Sequence, residues 1–385
     1  MTANASLPRV IAGAPSHNLT LYHQIRFQCG DPSALVLFPD HRGKTLIIRD
    51  IEADRARAQT DAARVLTPAD LAPETGLSAE RETATAQALA ELLRREGVSE
   101  VVADRTFPLI YAEELRQAQI AIRYDPQMGV RDRRAKDEQE VAWLREAQRI
   151  TEQAITLACE TIACATAGAD GVLQHEGADL TSDRARTMID RFLLERGYAN
   201  DLCIVACGSE GGDCHNRGEG PIRTGEPVII DVFPQNRVTL YNGDCTRTVV
   251  HGDIPDDIKR IHEAVVLAKR SATETTRAGV TADAVHAATI ASLEGSGFRA
   301  CAPIDVTDNN EFAMVHGTGH GIGLEVHEQP LIDRGGPELI AGDALTIEPG
   351  LYARARGGVR VEDMVIVTEN GCESLNSIHE GLRWG

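Results

Sequence analysis

The sequence predicts two domains in series: an α/β domain over residues 1–130, then an α+β domain over residues 131–385 in which helices cover the outer face of a curved antiparallel sheet made of two pseudo-twofold halves. Three observations carry this. A length of 385 residues, 42% hydrophobic, is more than one core usually serves. Short apolar runs alternate with helical patterns through the first domain, as strands and helices sharing one sheet do. Beyond it, a unit of two helices followed by strands occurs twice, without residue-level identity between the copies.

In chain order, Ala34–Phe38 and Thr45–Ile48 flank Asp40-His41-Arg42-Gly43 as strand, turn and strand. A helix is predicted over Thr83–Glu96, a strand over Glu100–Ala103, a helix over Tyr111–Gln119 and a strand over Ala121–Tyr124. The pattern breaks at Asp125-Pro126, and the charge run from Arg131 to Glu140 reads as a solvated linker and helix start. Apolar residues at helical spacing then predict helices over Glu138–Thr166 and Ser182–Glu195, followed by strands at Leu202–Ala206, Pro227–Phe233 and Val238–Val250. The second copy places helices over Asp256–Arg277 and Ala282–Glu294, with strand signals after them.

A net charge of −19 and a pI near 5.1 argue against an electrostatic grip on nucleic acid or an anionic membrane. No stretch approaches the ~20 apolar residues of a membrane span, and Met1–Ser6 lacks the basic-then-apolar order of a secretory signal, so a cytoplasmic protein is expected. The nine cysteines are odd in number and scattered, with no Cys-x-x-Cys pair, and read as free thiols. Cys214 and Cys245 adjoin His215 and Asp244, yet metal binding explains those neighbourhoods better than thiol catalysis does. The glycine-rich stretches at Gly208–Gly212 and Gly317–Gly323 lack the helix context and lysine of a phosphate loop.

The chemistry-bearing residues are Asp231, Asp244, His320, Glu348 and Glu362, four carboxylates and an imidazole. Each sits in a local phrase, such as Gly243-Asp244-Cys245-Thr246-Arg247-Thr248 or Ile347-Glu348-Pro349-Gly350. Carboxylate-rich sets favour hard or borderline cations, Mn²⁺ first with Co²⁺ or Zn²⁺ as substitutes, and paired metals activate water. Strand alternation puts Asp244 on the same side as Thr246 and Glu362 on the same side as Arg360, so Arg360 is predicted to share the pocket and Asp363 to face away. Any one of these acids is more often a solvated surface group; their joint occurrence carries the inference.

These phrases, with His316-Gly317-Thr318-Gly319-His320 continuing to His327-Glu328, resemble the pita-bread metallopeptidases, which comprise methionine aminopeptidase, aminopeptidase P and prolidase. The resemblance covers about residues 133–370 and implies two divalent metal ions. It makes Asp231 the ligand of one ion, Asp244 and Glu362 the bridges, and His320 and Glu348 the completion of the second. His327 would stabilise the tetrahedral intermediate, Glu348 would also shuttle a proton, His215 would close the far side of the cleft, and His316 would line the substrate pocket. The predicted α/β domain resembles that of aminopeptidase P, prolidase and creatinase in layout.

That combination implies cleavage of an Xaa-Pro bond in a proline-containing peptide, by a protein similar to others that form homodimers. Arg334, fourteen residues before Glu348, and Arg360 are candidates to bind a substrate carboxylate, which tilts the reading toward an Xaa-Pro dipeptidase. Aminopeptidase P, acting on longer chains, is the alternative; a non-catalytic binding protein on the same fold is disfavoured because no ligand is lost. One departure stands out: Asp231 to Asp244 is a step of thirteen residues, two more than the family's usual step, and Phe233 occupies a position that is usually glycine. A longer hairpin is thermodynamically tolerable, although it reshapes the cleft wall.

Overall fold

The computed structural model describes residues 7–200, 202–300 and 308–385; Met1–Ser6, read above for a signal, lies outside them. The chain divides into two compact units, Met1–Arg133 and Arg134–Gly385, with the division inside the charge run that begins at Arg131.

The first unit is built on a six-stranded mixed sheet whose spatial order is Arg64–Leu66, Lys44–Ile47, Ser33–Leu37, Arg9–Gly13, Glu100–Ala103 and Ala121–Tyr124. Ser33–Leu37 and Lys44–Ile47 pair antiparallel around the expected turn. Because strand side chains alternate, Val10, Ala12, Ala34 and Val36 pack with Leu89, Leu93 and Leu115 on one face, while Ile11, Leu35 and Leu46 pack with Leu21, Ile25 and Ala53 on the other. Helices Arg81–Arg95 and Leu109–Gln117 therefore cover one face, and Leu19–Ile25 and Asp50–Gln59 the other.

The second unit opens on the helix Glu138–Ala163. Asp137 Oδ1 accepts from the Glu140 amide at 2.8 Å and Glu140 Oε2 accepts from the Asp137 amide at 2.9 Å, a capping box that fixes the first turn. Its apolar stripe, Ala147, Ile150, Ala154, Ile155, Ala158 and Ile162, packs with Ile189 and Leu193 of helix Ser182–Leu194 and with Val228, Ile230 and Val249 of the sheet below. The second helix pair, Asp256–Thr275 and Ala282–Gly295, repeats the arrangement over the other half.

Under the first pair, Ile204–Cys207, Pro227–Val232 and Cys245–Val250 form an antiparallel sheet. Under the second, Ala344–Ile347 pairs with Asp363–Val367, and then Gly350–Ala353 pairs with Gly357–Arg360. Both chains of that long hairpin leave one sheet and enter the next at a short break, and the breaks hold Glu348 and Glu362. Interrupted pairing lets a sheet bend, so both acids lie at the bend.

One expected element is different. A strand was expected from Val238 to Val250, but regular pairing begins at Cys245, and Val238 is 78% exposed. Asn236 Oδ1 accepts from the amides of Val238 and Thr239 at 2.8 and 3.0 Å, and this side-chain turn competes with a ladder. Gln235 and Asn242 donate to the carbonyls of Leu324 and Gly323 at 3.1 and 2.9 Å. The two extra residues are thus absorbed in a loop tied to the His320–His327 segment, while Asp231 stays on its strand opposite Thr246 and Asp244 immediately precedes the neighbouring strand Cys245–Val250. Among the described residues no helix is long and apolar enough to cross a membrane, and the eight described cysteines are free.

Candidate metal centre and active site

A cavity of about 480 Å³ opens within the second unit. It is lined by all five predicted ligands and by His215, His316, His327 and Arg360. Its size lies within the ~300–1,000 Å³ usual for small-molecule sites.

Each ligand is held by its backbone. Gln148, from the helix Glu138–Ala163, accepts from the Asp244 amide at 2.8 Å and donates to the Asp244 carbonyl at 2.7 Å. The Glu362 amide donates to the Thr246 carbonyl at 3.1 Å and the Glu348 amide to the Thr318 carbonyl at 2.8 Å. His320 lies on the strand Gly319–Gly321; a Cβ on Gly319 would sit 2.1 Å from the Thr346 carbonyl oxygen, so only glycine permits this approach.

The side chains converge. Asp244, His320 and Glu362 each present one ligand atom within 4.8 Å of the others. His320 Nε2 lies 3.3 Å from Glu348 Oε1 and 3.8 Å from Asp244 Oδ2. Ligands sharing one ion at about 2.1 Å stand roughly 3–3.6 Å apart, so small side-chain adjustments suffice. Asp231 Oδ2 accepts from Arg360 Nη2 at 2.6 Å, whereas its Oδ1 is buried and accepts no hydrogen bond. Leaving a carboxylate oxygen buried and unpaired is costly, and a cation would satisfy it. The donor set of oxygens and one imidazole fits hard or borderline divalent ions.

Arg360 is 3% exposed and shares the pocket, as strand parity predicts: Nε donates to Thr246 Oγ1 at 3.1 Å and Nη1 to the Tyr352 hydroxyl at 3.0 Å. Asp363 faces away, paired with Arg247 at 2.8 Å and with Lys269. His316 Nε2 is 2.8 Å from the Tyr352 hydroxyl, and the His327 ring stands edge-on to His320 with centroids 4.3 Å apart. Arg334 departs from expectation. It is exposed and outside the cavity lining, while its neighbour Asp333 is part of it. Arg334 follows the strand Glu328–Ile332 by two residues, and the cavity as it stands does not include it.

Some partners were not read from the sequence. Thr246 Oγ1 donates to Glu362 Oε2 at 2.7 Å, and Glu328 Oε1 accepts from the amides of Leu324 and Glu325 at 3.0 and 3.1 Å, shaping the turn before His327. Parity put Thr246 on the side of Asp244 but not its bond to Glu362, and nothing local marks Tyr352. Cys214 lines the cavity, but burial pushes its thiol up, away from the thiolate that nucleophilic chemistry needs.

Burial raises the Asp244 carboxyl well above the usual range and the Glu362 and Asp231 charges add to this. Glu362 is raised in the same way, by burial and then by Glu348 and Asp231; burial also raises Asp231 despite Arg360. For Glu348 burial acts upward, but the hydrogen bond and charge of His320 prevail and hold it at about 2. Groups with raised folded values stabilise the fold fully below the ordinary carboxylate range, about pH 4, and that contribution is lost as pH rises through the folded values. Glu348 works in the opposite sense, its contribution being lost as pH falls below about 4. Chelator-treated protein is therefore expected to melt at progressively lower temperature from about pH 4 to 8, and a divalent cation to raise the melting temperature more at higher pH, since cations and protons compete for the same oxygens. Melting curves with and without Mn²⁺ test this; a metal-induced shift that shrinks as pH rises would contradict it.

The sequence profile of metallopeptidase family M24 matches residues 142–369. Among curated relatives, "Probable dipeptidase PepE" of Mycobacterium tuberculosis is 36% identical over 202 residues, 52% of this chain and 49% of the relative. The Xaa-Pro dipeptidase of Pyrococcus horikoshii is 28% identical over 294 residues, 74% of this chain and 76% of that one. The chain thus spans about half the length of the first curated relatives it matches. An X-Pro aminopeptidase structure from Thermotoga maritima shares the fold, with a TM-score of 0.79 at 21% identity over 98% of this chain and 97% of that one. The matched segment holds all five candidate ligands and more than half of the sequence, and the chain belongs to metallopeptidase family M24.

Proposed function

We propose that this protein hydrolyses the Xaa-Pro bond of dipeptides, using two divalent ions, with Mn²⁺ the favoured metal. The convergence of four carboxylates and His320 in one cavity, with a buried Asp231 oxygen left unpaired, is the observation that carries the reading. Asp231 would serve one ion, Asp244 and Glu362 both, and His320 and Glu348 the second. When bound, the ions supply the positive charge that activates water and polarises the scissile carbonyl.

The protein's own residues do the rest. Burial lowers the His327 pKa, so near neutral pH its imidazole is uncharged and can donate N–H to the developing oxyanion. Glu348 lines the cavity beside His320, and its carboxylate could take a proton from water and pass it to the leaving nitrogen. His316, uncharged because of its burial, and His215 line the pocket where the prolyl side would lie. Phe233, Leu202, Ile204, Val326 and Leu331 give the cavity an apolar wall suited to an uncharged residue before proline. A homodimer in the cytoplasm, acting on small peptides and without a nucleic-acid or membrane partner, belongs to the same reading.

Metal-loaded protein is expected to cleave Xaa-Pro dipeptides with kcat/KM at least about tenfold above that for matched Xaa-Pro-Yaa tripeptides, the worth of one charge-assisted contact to the free carboxylate. A substrate panel followed by chromatography measures this. Preference for tripeptides would replace the dipeptidase reading with that of an aminopeptidase, and metal binding without hydrolysis would leave a binding protein.

A further inference from the structure

A dipeptidase must recognise a carboxylate immediately after proline, and arginine is the side chain best suited to it. Arg334 lies outside the cavity, and Arg360 is already committed. Its Nε bonds Thr246, its Nη1 reaches the Tyr352 hydroxyl at 3.0 Å and the Cys214 carbonyl at 3.3 Å, and its Nη2 pairs with Asp231 at 2.6 Å. With its charge matched and its donors engaged, Arg360 organises the floor of the site.

Arg217 remains. It lines the same cavity two residues after His215, and it is exposed at the mouth. Its main chain is fixed: the carbonyl accepts from the Val205 amide at 3.1 Å and from the Arg186 guanidinium. The loop before it is closed by Asp213 Oδ1, which accepts from the His215 amide at 3.0 Å, and by Asn216 Oδ1, which accepts from the Gly218 amide at 2.9 Å. Gly218 follows with φ +77°, and a Cβ there would lie 1.9 Å from the Val205 oxygen, so the turn is available only to glycine. The backbone is therefore rigid where the side chain leaves it, and among the described residues no carboxylate pairs with the Arg217 guanidinium. A held backbone carrying an unmatched cation at the cavity wall suits capture of an anionic group from outside.

The geometry points to Arg217 as the residue that binds the α-carboxylate of the dipeptide, setting the length of peptide accepted; this rests on the hydrolytic reading above. The test compares wild-type, Arg217→Ala and Arg217→Lys proteins, each loaded with Mn²⁺, on one prolyl dipeptide and its C-terminal amide. The ratio of kcat/KM for acid over amide is expected to fall about tenfold in Arg217→Ala, an effect kept modest by solvent exposure and carried by KM rather than kcat. Arg217→Lys should recover part of the ratio, since charge is kept and the planar fork lost. An unchanged ratio in Arg217→Ala, with metal content and circular dichroism like wild type, overturns the inference while leaving the hydrolytic reading intact. Wild-type protein that cleaves neither substrate overturns both.

Discussion

If the site holds two ions as proposed, replacing His320 with alanine is expected to lose one metal equivalent and to lower kcat/KM by more than about a thousandfold, because removing a Lewis acid forfeits several kcal/mol of charge stabilisation and each 1.36 kcal/mol is a factor of ten. The ring is positioned for ligation: Nδ1 lies 3.1 Å from the Gly321 carbonyl, which leaves Nε2 facing the Glu348 and Asp244 carboxylates at 3.3 and 3.8 Å. The side chain is enclosed, so alanine leaves buried acids without their imidazole neighbour. Asp244→Asn should lose metal as well, since its carboxylate faces both Glu362 and His320. Elemental analysis of protein dialysed against Mn²⁺ gives the stoichiometry. Two equivalents retained in His320→Ala would show that this histidine is not a ligand.

His327→Ala should behave differently, lowering kcat about 10²- to 10³-fold, the usual loss for one oxyanion donor, while metal content stays near that of wild type. The two imidazoles are only 4.3 Å apart, centroid to centroid, yet their settings separate their roles. Among the described residues His320 joins Asp244 and Glu362 in a group of mutually close ligand atoms, and His327 is outside it. Hydrogen bonding to Glu348 raises the His320 pKa against the effect of burial, while His327 has burial and the His320 charge both lowering its own. His327→Gln, which keeps an N–H donor, should recover some of the rate. Equal metal loss in His320→Ala and His327→Ala would mean that the roles have been misassigned.

Much of this arrangement is written in local patterns. The unbroken apolar run Ala34–Phe38 reads as a strand that must bury both its sides, and in the first unit Ala34 and Val36 face one core while Leu35 and Leu37 face the other. The same parity placed Arg360 with Glu362 in the pocket and turned Asp363 toward Arg247 and Lys269. The order of Asp231, Asp244, His320, Glu348 and Glu362 named the ligand candidates, since each sits in a phrase specific enough to recognise without its neighbours in space.

The rest depended on residues far apart in sequence. Val238–Leu240 carries apolar residues like a strand, but Gln235 and Asn242 bond the carbonyls of Leu324 and Gly323, more than eighty residues away, and that pairing sets the loop. Arg334 and Arg217 are both arginines near histidine-rich phrases, and composition cannot rank them. The tertiary structure separates them by place: Arg334 is exposed and absent from the cavity lining, while the Arg217 backbone is pinned to the strand Ile204–Cys207 at the cavity wall. Likewise the Arg360 ion pair with Asp231 joins positions 129 residues apart. Side-chain periodicity is a property of a few consecutive residues and is legible in one dimension; which charged groups meet, and which remain available to a substrate, is decided only when distant strands pair and the cavity closes around them.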